Sequence, residues 1–281
     1  MKQKILSILV VIAIVFIIYY IYNSYDDIKS STNPNRAYVI NLNKRPERWE
    51  NIQKSFKNSS IELIRLPAIE NKNGNIGCGL SFMKAVKYAK KHNMKTILIF
   101  EDDNKPLEGF DERWKIIKNW LDTNLEKWEI FNGGARFPDW GNYETQITSP
   151  YADKTKIKYS IENKEYLFQT EKLLSTNWIY INSSVYDKVL KWDSPIYINN
   201  SIFIDKYLLD TKYFNHIFSI PHLALQENGE SNIVNERINY ETNNKNLINI
   251  FNSVYVKEIE NNHYTTIESV KMYSINFLNS N

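Results

Sequence analysis

An α/β fold with a mainly parallel central sheet flanked by helices is the class this sequence predicts, on three observations. Strand-like and helix-like stretches alternate from Arg36 to Phe100 with short connections, a pattern that lays helices over a largely parallel sheet. The third strand-like stretch, "KTILIF", is a continuous apolar run bounded by polar residues, as in a strand covered on both faces. Composition suits a packed body: of 281 residues, 43% are hydrophobic, 14% aromatic and 24% charged, which excludes disordered and collagen-like classes. In such sheets ligands bind beyond the carboxyl ends of the strands, so functional residues are expected along that edge.

Taken in order, residues 5–22, "ILSILVVIAIVFIIYYIY", form an uncharged apolar stretch just long enough to cross a bilayer as a helix, with Tyr19, Tyr20 and Tyr22 where an aromatic belt would sit. The alternative, a cleaved signal peptide, fits less well, because the run is long and ends in tyrosines rather than small residues. Residues 1–23 are therefore expected to anchor the chain in a membrane. Lys2 and Lys4 before the segment and Asp26 and Asp27 after it favour a cytoplasmic N-terminus, although Lys29 and Arg36 weaken the asymmetry. Polar, turn-forming residues 24–35 read as a stem.

The main domain is expected over 36–233, with 234–281 as an extension packing on it or continuing it. "RAYVINL" predicts the first strand. A helix follows from Pro46, with Trp49, Ile52 and Phe56 on one face. "IELIRLPAI" predicts a second strand, and after the loop "NKNGNIGCG", Ser81 is expected to cap a helix carrying Met83 and Val86 inward. "WKIIKNWLDTNL" predicts an amphipathic helix and "KWEIFNGG" a short strand. Residues 141–170 read as irregular or antiparallel. "TNWIYINSSVYDKVLKW" reads as strand, cap and helix, and "NNSIFIDKYLLDTK" as a further helix.

A near balance of 35 Lys and Arg against 32 Asp and Glu, net +3, argues against nucleic acid as a partner. Cys78 is the lone cysteine, so neither an intrachain disulfide nor a multi-cysteine zinc site can form.

The residues richest in chemistry are Glu101, Asp102 and Asp103, where "TILIF" ends. Adjacent carboxylates raise one another's pKa unless a cation neutralises them, which invites a divalent metal. In an extended segment Glu101 and Asp103 would face one side. The alternative is a solvated acidic turn. Against it stand the other polar groups expected on the same edge: Asn41 and Arg45 after the first strand, and Ser81 at a helix N-terminus, where backbone N–H groups favour anions.

The chain resembles glycosyltransferase family 25, the lipooligosaccharide and collagen galactosyltransferases, in "AYVINLNKRPERW" (37–49), "GCGLSFMKAVKYA" (77–89) and "ILIFEDDN" (97–104), with fainter echoes in "EIFNGG", "IFIDKYLL" and "IPHLALQENGESNI". Together these span about 36–233. The resemblance implies a GT-A-type Rossmann-like fold and a nucleotide-sugar donor, a UDP-sugar carrying galactose or glucose. It also implies Mn2+ or Mg2+ held by Asp103, with Glu101 or Asp102 toward the nucleotide sugar. Where the family has His after the motif Ser, this chain has Phe82, so either donor binding differs or the position only packs.

Glycosyl transfer from a nucleoside diphosphate needs charge stabilisation on the leaving diphosphate, and an inverting transfer needs a base for the acceptor hydroxyl of a glycan or protein. Asp205, after an apolar run and matching the family's downstream aspartate, is the candidate base. The alternative is an exposed helix residue. His222 could complete the metal shell together with Glu101 and Asp103, with Gln226 reaching donor or acceptor. Arg45 and Arg48 could bind diphosphate or be surface charges; Trp140 and Tyr143 could stack on sugars or pack on the core. Cys78 reads as a small packing residue.

A cytoplasmic N-terminus would put the domain in the Golgi or endoplasmic reticulum lumen, where Asn58, Asn182 and Asn199 offer sequons, while a cytosol-facing orientation stays open. Two other functions remain alternatives: a non-catalytic glycosyltransferase-like binding module, to which Phe82 points, and a metal-dependent phosphohydrolase.

Overall fold

The computed structural model describes residues 28–29, 31–135, 155–161, 165–193, 195–199, 202–220 and 222–226, with Ile12 by itself. Apart from Ile12, the expected anchor lies outside these residues, as do the extension over 234–281 and Trp140 and Tyr143. Among the described residues no helix is long and apolar enough to cross a membrane.

A mixed α/β body results. Its strands are β1 (Arg36–Asn41), β2 (Glu62–Pro67), β3 (Thr96–Glu101), β4 (Asn104–Pro106), β5 (Ile130–Asn132), β6 (Lys156–Ile161), β7 (Glu165–Gln169), β8 (Trp178–Asn182), β9 (His216–Ser219) and β10 (Ala224–Gln226). The main helices are α1 (Pro46–Ser55), α2 (Gly74–Lys91) and α3 (Phe110–Thr123), followed by the short α4 (Tyr186–Val189), α5 (Pro195–Asn199) and α6 (Ile204–Leu208). An eight-stranded sheet runs β2-β1-β3-β8-β5-β9-β7-β6, and β4 pairs with β10 in a separate ribbon.

The expected parallel sheet holds across β2, β1 and β3. Beyond β3 the pairing is mixed: β8 lies antiparallel between β3 and β5, β5 and β9 are parallel, and β7 and β6 are antiparallel. All residues of β8 are buried, so its sequence shows coverage on both faces but not direction.

Alternate residues of the central strands feed two apolar layers, as a pleated strand requires. Tyr38, Ile40, Ile97, Ile99, Ile179 and Ile181 join α2's Phe82, Met83 and Val86 on one face. Val39, Leu98, Phe100, Trp178 and Tyr180 meet Ile52 of α1 and Trp114, Ile117 and Leu121 of α3 on the other.

Helix α2 begins seven residues before the expected cap. Asn73 is its N-cap, its side chain accepting from the N–H groups of Asn75 and Ile76, and the glycine stretch becomes the first turns of the helix. Glycine there costs roughly 1 kcal/mol per residue against alanine, but packing requires it. A Cβ on Gly77 would lie 2.8 Å from the Ile69 carbonyl oxygen, and one on Gly79 would lie 2.0 Å from the Trp192 ring. Of the three sequons, Asn182 is closed to glycosylation in the folded chain, because its amide is buried and donates to the carbonyls of Leu125 and Trp128.

Candidate functional site

Strands β1, β2 and β3 end at a cleft of about 560 Å³, lined by the loop into α1, the segment after β2, the first turns of α2 and the three carboxylates. Glu101 is the last residue of β3, and its N–H still donates to the Asn177 carbonyl at 3.1 Å. Asp102 and Asp103 then form a turn before β4. The triplet is thus not extended as expected, although Glu101 and Asp103 stay close enough for their charges to interact.

Arg48 of α1 holds two of the carboxylates, and residues of other elements complete their hydrogen bonds. Asp102 accepts from Asn41 Nδ2 at 2.7 Å and from the Arg48 guanidinium at 2.9 Å. Asp103 Oδ2 accepts from Arg48 at 3.3 Å and from Gln226 Nε2 at 3.1 Å. Glu101 Oε1 accepts from Thr176 Oγ1 at 2.7 Å. One oxygen stands apart: Asp103 Oδ1 is buried with no hydrogen-bond partner. Leaving such an atom unpaired costs about 1–3 kcal/mol.

Burial, reinforced by the charge of Asp103, pushes Glu101 up to about 8. Asp103 is pushed up to about 6, again first by burial, with Arg48 pulling the other way. For Arg48 burial works against the charged form, but Asp103 and Asp102 outweigh it and raise its pKa. Among the described residues the site is therefore an acidic corner that the Arg48 guanidinium faces.

The other expected site residues divide. Arg45 lines the cleft and donates to Glu47 at 3.2 Å. Asn41 is fully buried and spends its amide internally, donating to Asp102 and the Arg45 carbonyl and accepting from Arg65 Nε at 2.8 Å. It organises the corner rather than meeting a ligand. Ser81 borders the cleft, yet it sits in mid-helix, donating to the Gly77 carbonyl at 2.7 Å and accepting from the Ile69 N–H at 2.8 Å. Its expected role at a helix N-terminus falls, because Asn73 caps α2.

His222 is also misplaced as a metal ligand. Its Nδ1 meets the Ser219 carbonyl at 2.9 Å, its own carbonyl accepts from Arg113, and burial pushes its pKa down to about 4. It does not line the cleft. Asp205 opens the first turn of α6 and is likewise outside the lining, but its charge reaches both Glu101 and Cys78. Cys78 lines the cleft, and burial raises its thiol well above the ordinary range, as befits a packing residue. Phe82 is wholly buried in the core against the sheet, so this position packs.

Thr176 and Arg65 are site residues that sequence reasoning missed. Arg65 had a signal, a charge within the apolar strand "ELIRLP". Thr176 had none, because its approach to Glu101 depends on the antiparallel seat of β8.

A divalent cation fits this corner only in part. Among the described residues no three His, Cys, Asp or Glu side chains are grouped to hold a metal ion. A closed protein cage is thus absent there, but Mg2+-like ions are commonly bound through one or two carboxylates plus substrate phosphates, and Asp103 with its unpartnered Oδ1 meets that lesser demand.

No family model matches the chain, glycosyltransferase family 25 included, and a search of curated proteins finds no match. Among solved structures, the crystal structure of A197 from STIV is similar at TM-score 0.38 and 13% identity, over 73% of this chain and 98% of that one. Mannose-1-phosphate geranyltransferase from Thermus thermophilus is similar at TM-score 0.30 and 11% identity, over 68% of this chain and 58% of that one. Likenesses this low leave function to the chemistry of the cleft.

Proposed function

We propose that this protein is a cation-assisted glycosyltransferase that moves a hexose, galactose or glucose, from a UDP-sugar to a hydroxyl of a glycan or protein acceptor, with inversion. The observation that carries this is the buried, unpartnered Asp103 Oδ1 at the carboxyl end of the central strand β3, in a cleft that also presents Arg45 and Arg48. Carboxylate and basic groups side by side suit a diphosphate that arrives with a cation; a site for a neutral ligand would not need both.

Asp103, with Glu101, would hold Mn2+ or Mg2+, which when bound supplies Lewis-acid stabilisation of the leaving diphosphate. Before a cation binds, Thr176 holds one oxygen of Glu101, and Gln226 and Arg48 hold Asp103 Oδ2, which leaves Oδ1 as the oxygen to offer. Arg45 and Lys44, both on the cleft wall, bind the phosphates. Asp205, which follows the apolar run before α6 and lies outside the cleft lining, is the candidate to take the acceptor proton. Phe82 packs in the core and supplies no polar group to the cleft.

Calorimetric titration of UDP into the full-length chain with Mn2+, then with EDTA, tests this directly alongside Asp103→Asn. Binding is expected only with metal and with Asp103 intact. Folded protein that binds UDP in neither condition would overturn the proposal, and release of inorganic phosphate rather than nucleoside diphosphate would replace it with a phosphohydrolase.

A further inference from the structure

Arg48 stands where positive charge is most needed. One of its terminal nitrogens touches both Asp102 Oδ1, at 2.9 Å, and Asp103 Oδ2, at 3.3 Å, and the three side chains are 18%, 11% and 16% exposed. Three neutral side chains also donate to the triplet: Asn41 to Asp102, Gln226 to Asp103 and Thr176 to Glu101. Among the described residues the Arg48 guanidinium is the cationic group in contact with this triplet, so the corner is short of positive charge.

A dication arriving at Asp103 would complete that charge but would meet Arg48 on the same carboxylate. Two cationic groups cannot share it in a desolvated corner without mutual repulsion. The guanidinium hangs from the first turn of α1 on a long side chain, and the cleft wall beside it is where a diphosphate would lie. A guanidinium that leaves carboxylates can make charge-assisted hydrogen bonds of the same kind to phosphate oxygens.

We propose that Arg48 is an exchangeable internal counter-ion. It neutralises Asp102 and Asp103 in the empty site, and a divalent cation drives it onto the nucleotide diphosphate, so that cation and nucleotide bind cooperatively. The proposal rests on the nucleotide-sugar reading of the cleft and adds to it the order and coupling of binding.

Free Mn2+ measured by electron paramagnetic resonance, with the full-length chain alone and with UDP, gives a readout independent of turnover. In the wild type, UDP is expected to tighten Mn2+ by about tenfold or more, and by linkage Mn2+ tightens UDP by the same factor. Arg48→Met should bind Mn2+ alone about tenfold more tightly than wild type, while its coupling to UDP falls below about threefold. Arg48→Lys, which keeps the charge and loses the fork, should fall between the two, and it carries the test if the Met variant does not fold. Folded Arg48→Met that binds Mn2+ no more tightly than wild type overturns the exchange. So does UDP binding that needs Arg48 but ignores EDTA, which would make the guanidinium a substitute for the metal. The two proposals fail separately: wild type that never binds UDP sinks the nucleotide-sugar reading, whereas tighter Mn2+ in Arg48→Met would still uphold displacement of the guanidinium.

Discussion

Glu101 illustrates how a functional side chain costs stability. Its pKa lies near 8 in the folded chain against 4.5 ordinarily, mainly through burial. A raised folded value means that stability present at low pH is lost as pH rises from 4.5 toward 8. Without metal, Glu101→Gln should therefore stabilise the protein at about pH 8 and change little near the acid end of that range. Urea denaturation at the two pH values checks this; equal effects at both would mean that Glu101 is not desolvated as described. Asp205 makes a sharper functional test. Asp205→Asn should lower kcat by about 10²- to 10⁴-fold and leave UDP binding intact, whereas unchanged kcat would remove it from the reaction. Thr176 acts through Glu101, so its role was invisible until β8 was placed beside β3.

Helix α2 carries the cleft's inner wall, and its start depends on glycines that sequence reasoning assigned to a loop. Gly79→Ala favours the helix by roughly 1 kcal/mol, yet the new methyl would meet the Trp192 ring at 2.0 Å. Overpacking of this kind costs about 1–3 kcal/mol, so net destabilisation is expected in chemical denaturation, and a stabilised variant would refute the packing account. On the opposite face, α3 is tied to β7 by a buried fork, Arg113 Nε to Glu165 Oε1 at 2.7 Å and its terminal nitrogen to Oε2 at 2.8 Å. Arg113→Met would strand the Glu165 carboxylate and should cost about 3–5 kcal/mol. Arg113→Met with Glu165→Leu should recover much of that loss; failure to recover would show that Arg113 matters through its bond to the His222 carbonyl instead.

Across the whole molecule the pH response is a contest between two sets of buried groups. His216 and His222 are both lowered to about 4, chiefly by burial. A depressed folded value means that stability present above 6.5 is lost as pH falls toward 4, by up to about 3 kcal/mol for each histidine. Over the same range Glu101 and Asp103 gain. In a Glu101→Gln background the histidine slope should emerge, with stability falling from pH 6.5 to 4, and a flat profile would mean that the histidines are not buried neutral. Much of this architecture was legible in the sequence. Apolar periodicity and Pro46 located β1, α1, β2 and β3, and a run of strand-forming residues ending in "EDD" put the carboxylates at a strand end, because local patterning dictates which residues are buried and where elements stop. Long-range pairing is not written locally. Only the tertiary structure decided that β8 enters antiparallel and brings Thr176 to Glu101, that Ser81 and Asn41 spend their polar atoms internally, that His222 stays with Arg113, and that Arg48 closes on Asp102 and Asp103. These outcomes turn on which distant segments share a layer, and a side chain's chemistry is set by the partners that burial gives it.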